Sequence, residues 1–194
     1  VEASDIVLTT DNFSTIVEAI SEGRRIFANI RKFVIHLLSA NTAQLFALLI
    51  PVLIGYKVPL TATQILWLNM ITGTPPAIGL GIEKGARKIM KRPPATGLFT
   101  TETNLDILFY GMLMAAITLV SFFTVTDLWL HKSLTSAQGV AFTSLTIMLL
   151  LHAYNCRHSR KSFFMEGCAK SWLLHGAVIF GLVMQCLVLY IPWL

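Results

Sequence analysis

Five long apolar stretches, at about Phe33–Ile54, Leu60–Ile82, Ile107–Thr126, Gly139–Tyr154 and Ser171–Ile191, constrain this chain more than any other feature. Most are close to the roughly 20 residues that cross a hydrocarbon layer about 30 Å thick. They go with a composition of 55% hydrophobic and 13% charged residues over 194 positions and a mean hydropathy of +0.68, far more apolar than a soluble core requires. In lipid the backbone must satisfy its own polar groups, so the stretches read as helices. The expected fold is an all-α polytopic membrane protein, a bundle of about five transmembrane helices.

Charge orients the bundle. Arg24, Arg25, Arg31 and Lys32 precede the first stretch; Lys84, Arg87, Lys88, Lys91 and Arg92 follow the second; Arg157, Arg160, Lys161 and Lys170 follow the fourth. The two remaining short loops hold only Lys57 and Lys132 of the 15 basic residues. The positive-inside rule then places the N-terminus and the rich loops in the cytosol and the C-terminus outside. The plasma membrane is expected over an internal one. Topology and anionic headgroups account for the net charge of +5, which needs no nucleic-acid partner. The start, VEASDIVLTT, has no initiator methionine, no basic n-region and no cleavage site, so the chain reads as a fragment entered in the middle of a soluble element. Cys156 and Cys168 are assigned to a cytosolic loop and Cys186 to the last stretch. With no even framework and no zinc spacing, all three read as free thiols.

In chain order, Ser4–Thr10 reads as a buried strand of a soluble domain that needs partners upstream. A helix follows, capped by Asn12 or Thr15 with Thr15 and Glu18 in capping-box spacing, and no proline interrupts it before Pro51. At 1.5 Å per residue it is about 50 Å long, so roughly 20 Å stands out of the membrane as a stalk bearing Glu22 and Arg25. The domains are thus 1–14, the end of a cytosolic α/β domain; 15–32, the stalk; and 33–194, the transmembrane part.

The chemistry concentrates in Gln64–Gly81, QILWLNMITGTPPAIGLG. Pro75 and Pro76 lack N–H donors, so the carbonyls of Ile71 and Thr72 lose their i+4 partners and the helix is expected to break there. Freed carbonyls beside side-chain oxygens can hold a cation. Asn69, Thr72 and Thr74 lie at the break, and Asn41 and Gln44, at i,i+3 in the first stretch, offer two further amide oxygens; an interhelical hydrogen bond is the competing reading of those amides. No acidic residue lies deep in a stretch. A dehydrated divalent ion normally needs carboxylates, so neutral oxygens favour a monovalent cation, Na or K. His36, His152 and His175 show no ligand spacing and are expected to pack or hydrogen-bond. Trp172, Tyr190 and Trp193 read as interfacial belt residues, and the third stretch as scaffolding.

VEASDIVLTTDNFSTIVEAISEGRRIF, FVIHLLSANTAQLF, QILWLNMITGTPPAIGLG and IMKRPPATGLFT together resemble the C-terminal part of a type II P-type cation-transporting ATPase. The NCRHSRKSFF loop and the GTPP variant are most similar to the type IID sodium/potassium-exporting ATPases. The resemblance implies that residues 1–14 end a phosphorylation domain and that the chain carries part of a cation site, with Asn41, Asn69 and Thr72 as metal ligands. It also implies that Gln44 stands where the family has an acid, Gly73 where calcium pumps share an aspartate, and Leu149 near an eighth-helix glutamate. It implies ATP and magnesium for the full-length protein and upstream catalytic domains as partners, in the same or a separate chain. The Asp-Lys-Thr-Gly-Thr motif, the nucleotide-binding domain, the Thr-Gly-Glu loop and the Gly-Asp-Gly-x-x-Asn-Asp segment are absent from these residues, which therefore supply no catalytic group or cofactor site. Three alternatives stand beside the pump portion: a truncated, non-transporting fragment that regulates an intact pump; a calcium-type ATPase with an altered site; and a passive channel, which the odd span number without an internal repeat disfavours.

Overall fold

The computed structural model describes residues 13–83, 90, 97–128, 133–157 and 172–190. The strand expected at Ser4–Thr10, the cap Asn12, and Lys132, Cys168 and Trp193 lie outside the described residues, as do the loop basic residues Lys84, Arg87, Lys88, Lys91, Arg92, Arg160, Lys161 and Lys170.

Helix α1, Phe13–Leu53, runs unbroken for 41 residues, so Thr15 lies within the helix rather than at its cap. Pro51 is accommodated inside the last turn. The helix stops because Gly55 takes φ 71°, the left-handed conformation, with its N–H on the Val52 carbonyl at 3.1 Å and the Tyr56 N–H on the Pro51 carbonyl at 2.8 Å. This paired closure satisfies the last carbonyls, and glycine is the residue that adopts it without a Cβ penalty.

The second apolar stretch is a rod of three pieces: α2, Ala62–Trp67; a π-helical turn π1, Leu68–Gly73; and α3, Thr74–Gly81. The expected break is therefore a change of helical winding. Pro75 and Pro76 fall in the first turn of α3, where a missing N–H is tolerated, and the wider π turn absorbs the altered register. The polar start of this stretch is a capping box: Thr61 Oγ1 accepts from the Gln64 N–H at 3.3 Å, and Gln64 Oε1 accepts from the Thr61 N–H at 2.9 Å.

Helix α4, Thr101–Phe123, is capped by Thr100 and continues into a π turn π2, Thr124–Leu128; α5 spans Leu134–Arg157 and α6 Trp172–Tyr190. Among the described residues, four helices are long and apolar enough to cross a membrane, and residues 62–81 form a fifth rod about 30 Å long. Among the described residues there is no strand. The chain is an all-α bundle of an integral multi-pass membrane protein.

Lipid is as apolar as leucine, so helices associate through close packing and polar contacts rather than through hydrophobic burial. The inner face of α1 presents Ala40, Ala43 and Ala47 to Met114 and Ala115 of α4 and to Phe142, Leu145 and Leu149 of α5. Gly111 lets α4 approach so closely that an added Cβ would lie 2.6 Å from Thr42 Cγ2. Gly79 does the same for α3 against the Leu174 backbone of α6. Leu49, Phe109, Val120 and Ile179 cover the outside, and Trp172 and Tyr190, 88% and 84% exposed, mark the two ends of α6.

Polar contacts gather at the end of the bundle nearest the stalk. Asn29 Nδ2 donates to the carbonyls of Gly81 and Glu83, at 3.1 and 2.7 Å, and so holds the end of α3. Glu83 accepts from Lys32 at 3.1 Å and from Arg157 at 2.5 Å, while Arg31 donates to Thr100 and Thr103 at the start of α4. One turn of α1 thereby grips the end of α3 and the start of α4 directly, and α5 through Glu83.

Candidate functional site

The π turn brings backbone and side-chain oxygens together at membrane depth. The carbonyl of Ile71 has Pro75 at i+4 and Pro76 at i+5, so neither an α nor a π partner exists for it. Thr74 Oγ1 donates to the Asn69 carbonyl at 2.7 Å, helping to close the widened turn. Gly73 fits the winding closely: an added Cβ would sit 3.1 Å from the Leu68 carbonyl oxygen. Any larger residue at this position would need the Leu68 carbonyl to give by a few tenths of an ångström, so glycine suits the winding of π1.

Across from π1, Gln44 of α1 is 5% exposed and pairs with Asn69 in both directions. Its Nε2 donates to Asn69 Oδ1 at 3.1 Å, and Asn69 Nδ2 donates to Gln44 Oε1 at 3.3 Å. Asn41, one turn earlier on α1, is exposed, as are Asn69 and Thr74. Thr72 is 1% exposed and its Oγ1 has no hydrogen-bond partner among the described residues; Ser39 Oγ on α1 is in the same position. The structure thus brings Gln44 to Asn69, buries Thr72 and leaves Asn41 outside this contact. Leu149 is in the core, packed with Ala43 and Phe142.

The site is neutral. Among the described residues, Glu18 and Glu22 lie on the stalk part of α1, Glu83 follows α3, Glu102 and Asp106 lie in the first turns of α4, and Asp127 lies in π2. The oxygens gathered at this turn are the paired amides of Gln44 and Asn69, the hydroxyls of Thr72 and Thr74, and the Ile71 carbonyl, which has no α or π backbone partner. Hard, uncharged oxygens of this kind suit an alkali cation better than a dehydrated divalent one.

Histidines described by their local spacing as isolated turn out not to be. His36 of α1 and His152 of α5 have ring centroids 5.8 Å apart, and Cys156 Sγ lies 3.2 Å from His152 Nε2. Cys156, assigned from sequence to a loop, is instead buried in the last turn of α5, which extends to Arg157. A trace of this was visible: His152 and Cys156 are at i,i+4, on one helix face. His175 hydrogen-bonds Tyr154 at 2.9 Å, as expected of a packing histidine. The clamp leaves no such trace, since Glu83 is some fifty residues from Asn29 and Lys32.

Comparison with known proteins agrees with this architecture. Residues 57–194 match the family described as "Cation transporting ATPase, C-terminus". The chain is 36% identical to the calcium-transporting ATPase of Bacillus subtilis, with 98% of this chain and 22% of that protein covered. It is 34% identical to sodium/potassium exporting P-type ATPase 1 of Saccharomyces cerevisiae, over 98% of this chain and 21% of that protein. Against calcium-transporting ATPase 1 of the same yeast the figures are 32%, 99% and 20%. The chain spans about a fifth of the length of the curated relatives it matches. It belongs to the C-terminal transmembrane family of the P-type cation-transporting ATPases.

Proposed function

We propose that this chain is the cation-conducting membrane portion of an ATP-driven pump and that the ion it handles is monovalent, sodium or potassium, moved outward. One observation carries the choice of ion: the described residues around π1 offer amide, hydroxyl and carbonyl oxygens and no carboxylate, with Gln44 and Asn69 held to each other as an interhelical amide pair. Asn69, Thr72 and Thr74 supply oxygens from the rod, Gln44 and Asn41 from α1, and the Ile71 carbonyl completes the set. Asn41, Asn69 and Thr74 are exposed polar groups at membrane depth, which is costly in lipid. This supports a further transmembrane segment seated over that face. Energy arrives from ATP and magnesium bound by upstream catalytic domains, transmitted along α1. The end carrying the clamp and most of the basic loops faces the cytosol, and the plasma membrane is the proposed location.

The calcium-transporting relatives favour a second reading, in which divalent transport persists through charges on other helices. Ion stimulation of ATP hydrolysis by the pump containing this chain separates the two. The monovalent reading expects stimulation by sodium or potassium and a fall of at least about tenfold in apparent cation affinity, roughly 1.4 kcal/mol, for Asn69→Ala. Stimulation by calcium alone, or unaltered sodium and potassium response in that variant, overturns it.

A further inference from the structure

A second group of ligand atoms lies outside the cation site. His36 of α1 and His152 and Cys156 of α5 are 0%, 3% and 8% exposed, and one ligand atom from each comes within 4.8 Å of the others. Their hydrogen bonding is incomplete. Neither ring nitrogen of His36 has a partner among the described residues, nor has His152 Nδ1. A neutral imidazole carries one N–H and one lone pair, and the Gly73 backbone can meet only one of them, so His36 buries at least one polar atom unused. Buried polar groups left in this way call for an unseen partner.

We propose that His36, His152 and Cys156 form a binding site for a thiophilic d10 metal ion, with Cu+ fitting better than Zn2+, that ties α1 to α5. Donor chemistry supports the class: two imidazoles and a thiolate, with no carboxylate in the trio, select soft or borderline metals over the alkali and alkaline-earth cations. Spacing supports it as well. Donors around a zinc-sized ion with bonds of 2.0–2.3 Å are about 3.3–3.6 Å apart, and the Cys156–His152 separation of 3.2 Å is already near that value. Charge decides between the two metals. One thiolate neutralises Cu+ completely but leaves Zn2+ with a net positive charge in a dry, low-dielectric setting.

The surroundings fit a held ligand set. Tyr110 packs against the His152 ring with centroids 4.8 Å apart, and the backbone of Gly73 lies against His36. Metal-bound imidazoles commonly turn their second nitrogen to a backbone carbonyl, and Gly73 is placed for that role. Cys156 is one residue from the end of α5 as described, so the trio lies toward one end of the bundle. On binding, the metal–sulfur bond replaces the S–H bond, the proton leaves to solvent, and the metal keeps its oxidation state. Because α1 also carries Gln44 and π1 carries Gly73, a bound ion would stiffen the contact between α1, α5 and the π turn.

The test uses the whole 194-residue chain in detergent micelles, with Cys168 and Cys186 replaced by serine. It is titrated anaerobically with Cu+ against a chromophoric cuprous chelator and, separately, with Zn2+. The expected result is one Cu+ per chain with sulfur in its X-ray absorption coordination shell, and Zn2+ held more weakly. Loss of a ligand exceeds the 10–100-fold effect of supporting residues, so Cys156→Ser should weaken Cu+ by about 100-fold or more, and His36→Gln should also weaken it. The thermal unfolding of both variants without metal should match the parent, which separates lost ligation from lost folding. Absence of stoichiometric Cu+, or Cu+ binding that survives Cys156→Ser, overturns the site. Zn2+ binding as tight as Cu+ overturns the charge argument that favours copper.

Discussion

The close contacts in this bundle turn on individual atoms, so residue substitutions of the same chemical kind should differ sharply. Gly111→Ala forces a Cβ to within 2.6 Å of Thr42 Cγ2 and 3.2 Å of the Ser39 carbonyl, and α1 and α4 must separate to admit it. It should destabilise by about 1–3 kcal/mol, the usual cost of overpacking. Gly139→Ala in α5 meets nothing within 4 Å and should be neutral or stabilising by up to about 1 kcal/mol through helix propensity. Thermal unfolding of the two variants in one detergent checks the contrast. The amides differ in the same way. Gln44→Ala breaks the pair with Asn69 and should cost about 0.5–1.5 kcal/mol, whereas Asn41→Ala, on an exposed position, should stay within about 0.5 kcal/mol in this chain. Equal losses in the two variants would contradict the arrangement. Asn41 and Gln44 were equally prominent in the sequence because an i,i+3 spacing shows that two residues share a face, not which of them meets a partner.

Among the elements, the rod of α2, π1 and α3 and the clamp on α1 belong together, because Asn29 and Glu83 fix the end of α3 relative to the stalk. Glu83→Gln leaves Lys32 and Arg157 without a counter-charge while nearly preserving shape. The expected loss is about 1–3 kcal/mol, below that for a wholly buried pair because Lys32 is 21% exposed. Hydrogen exchange should rise at the end of α3 before it rises elsewhere; uniform protection would argue against a clamp. Replacing Pro75 and Pro76 together by alanine restores the missing donors and should convert π1 toward regular α-helix. In the pump, cation stimulation should then fall although the bundle's helix content by circular dichroism is kept. The prolines announced a disturbance here, but proline tells only which donors are missing. Whether the chain opens or rewinds depends on what packs against it, and here α5 and α6 hold the turn closed.

For the molecule as a whole, the topology read from charge makes its own prediction. In sealed cells, a cysteine at position 57 should react with an impermeant reagent, and one at position 91 only after permeabilisation; the reverse pattern would invert the bundle. The all-α class, the multiple crossings and the family were determined by the sequence itself, because span length, hydropathy, loop charge and local motifs are properties of consecutive residues and survive any tertiary arrangement. The oxygens near Pro75-Pro76 were legible for the same reason. Only the tertiary structure decided that Gln44 and not Asn41 meets Asn69, that His36 stands beside His152 and Cys156, and that Glu83 joins Lys32 to Arg157. These pairings depend on the rotation of each helix about its axis and on its depth against its neighbours. Both are set by small-residue contacts such as Gly111 on Thr42, which no single helix encodes alone.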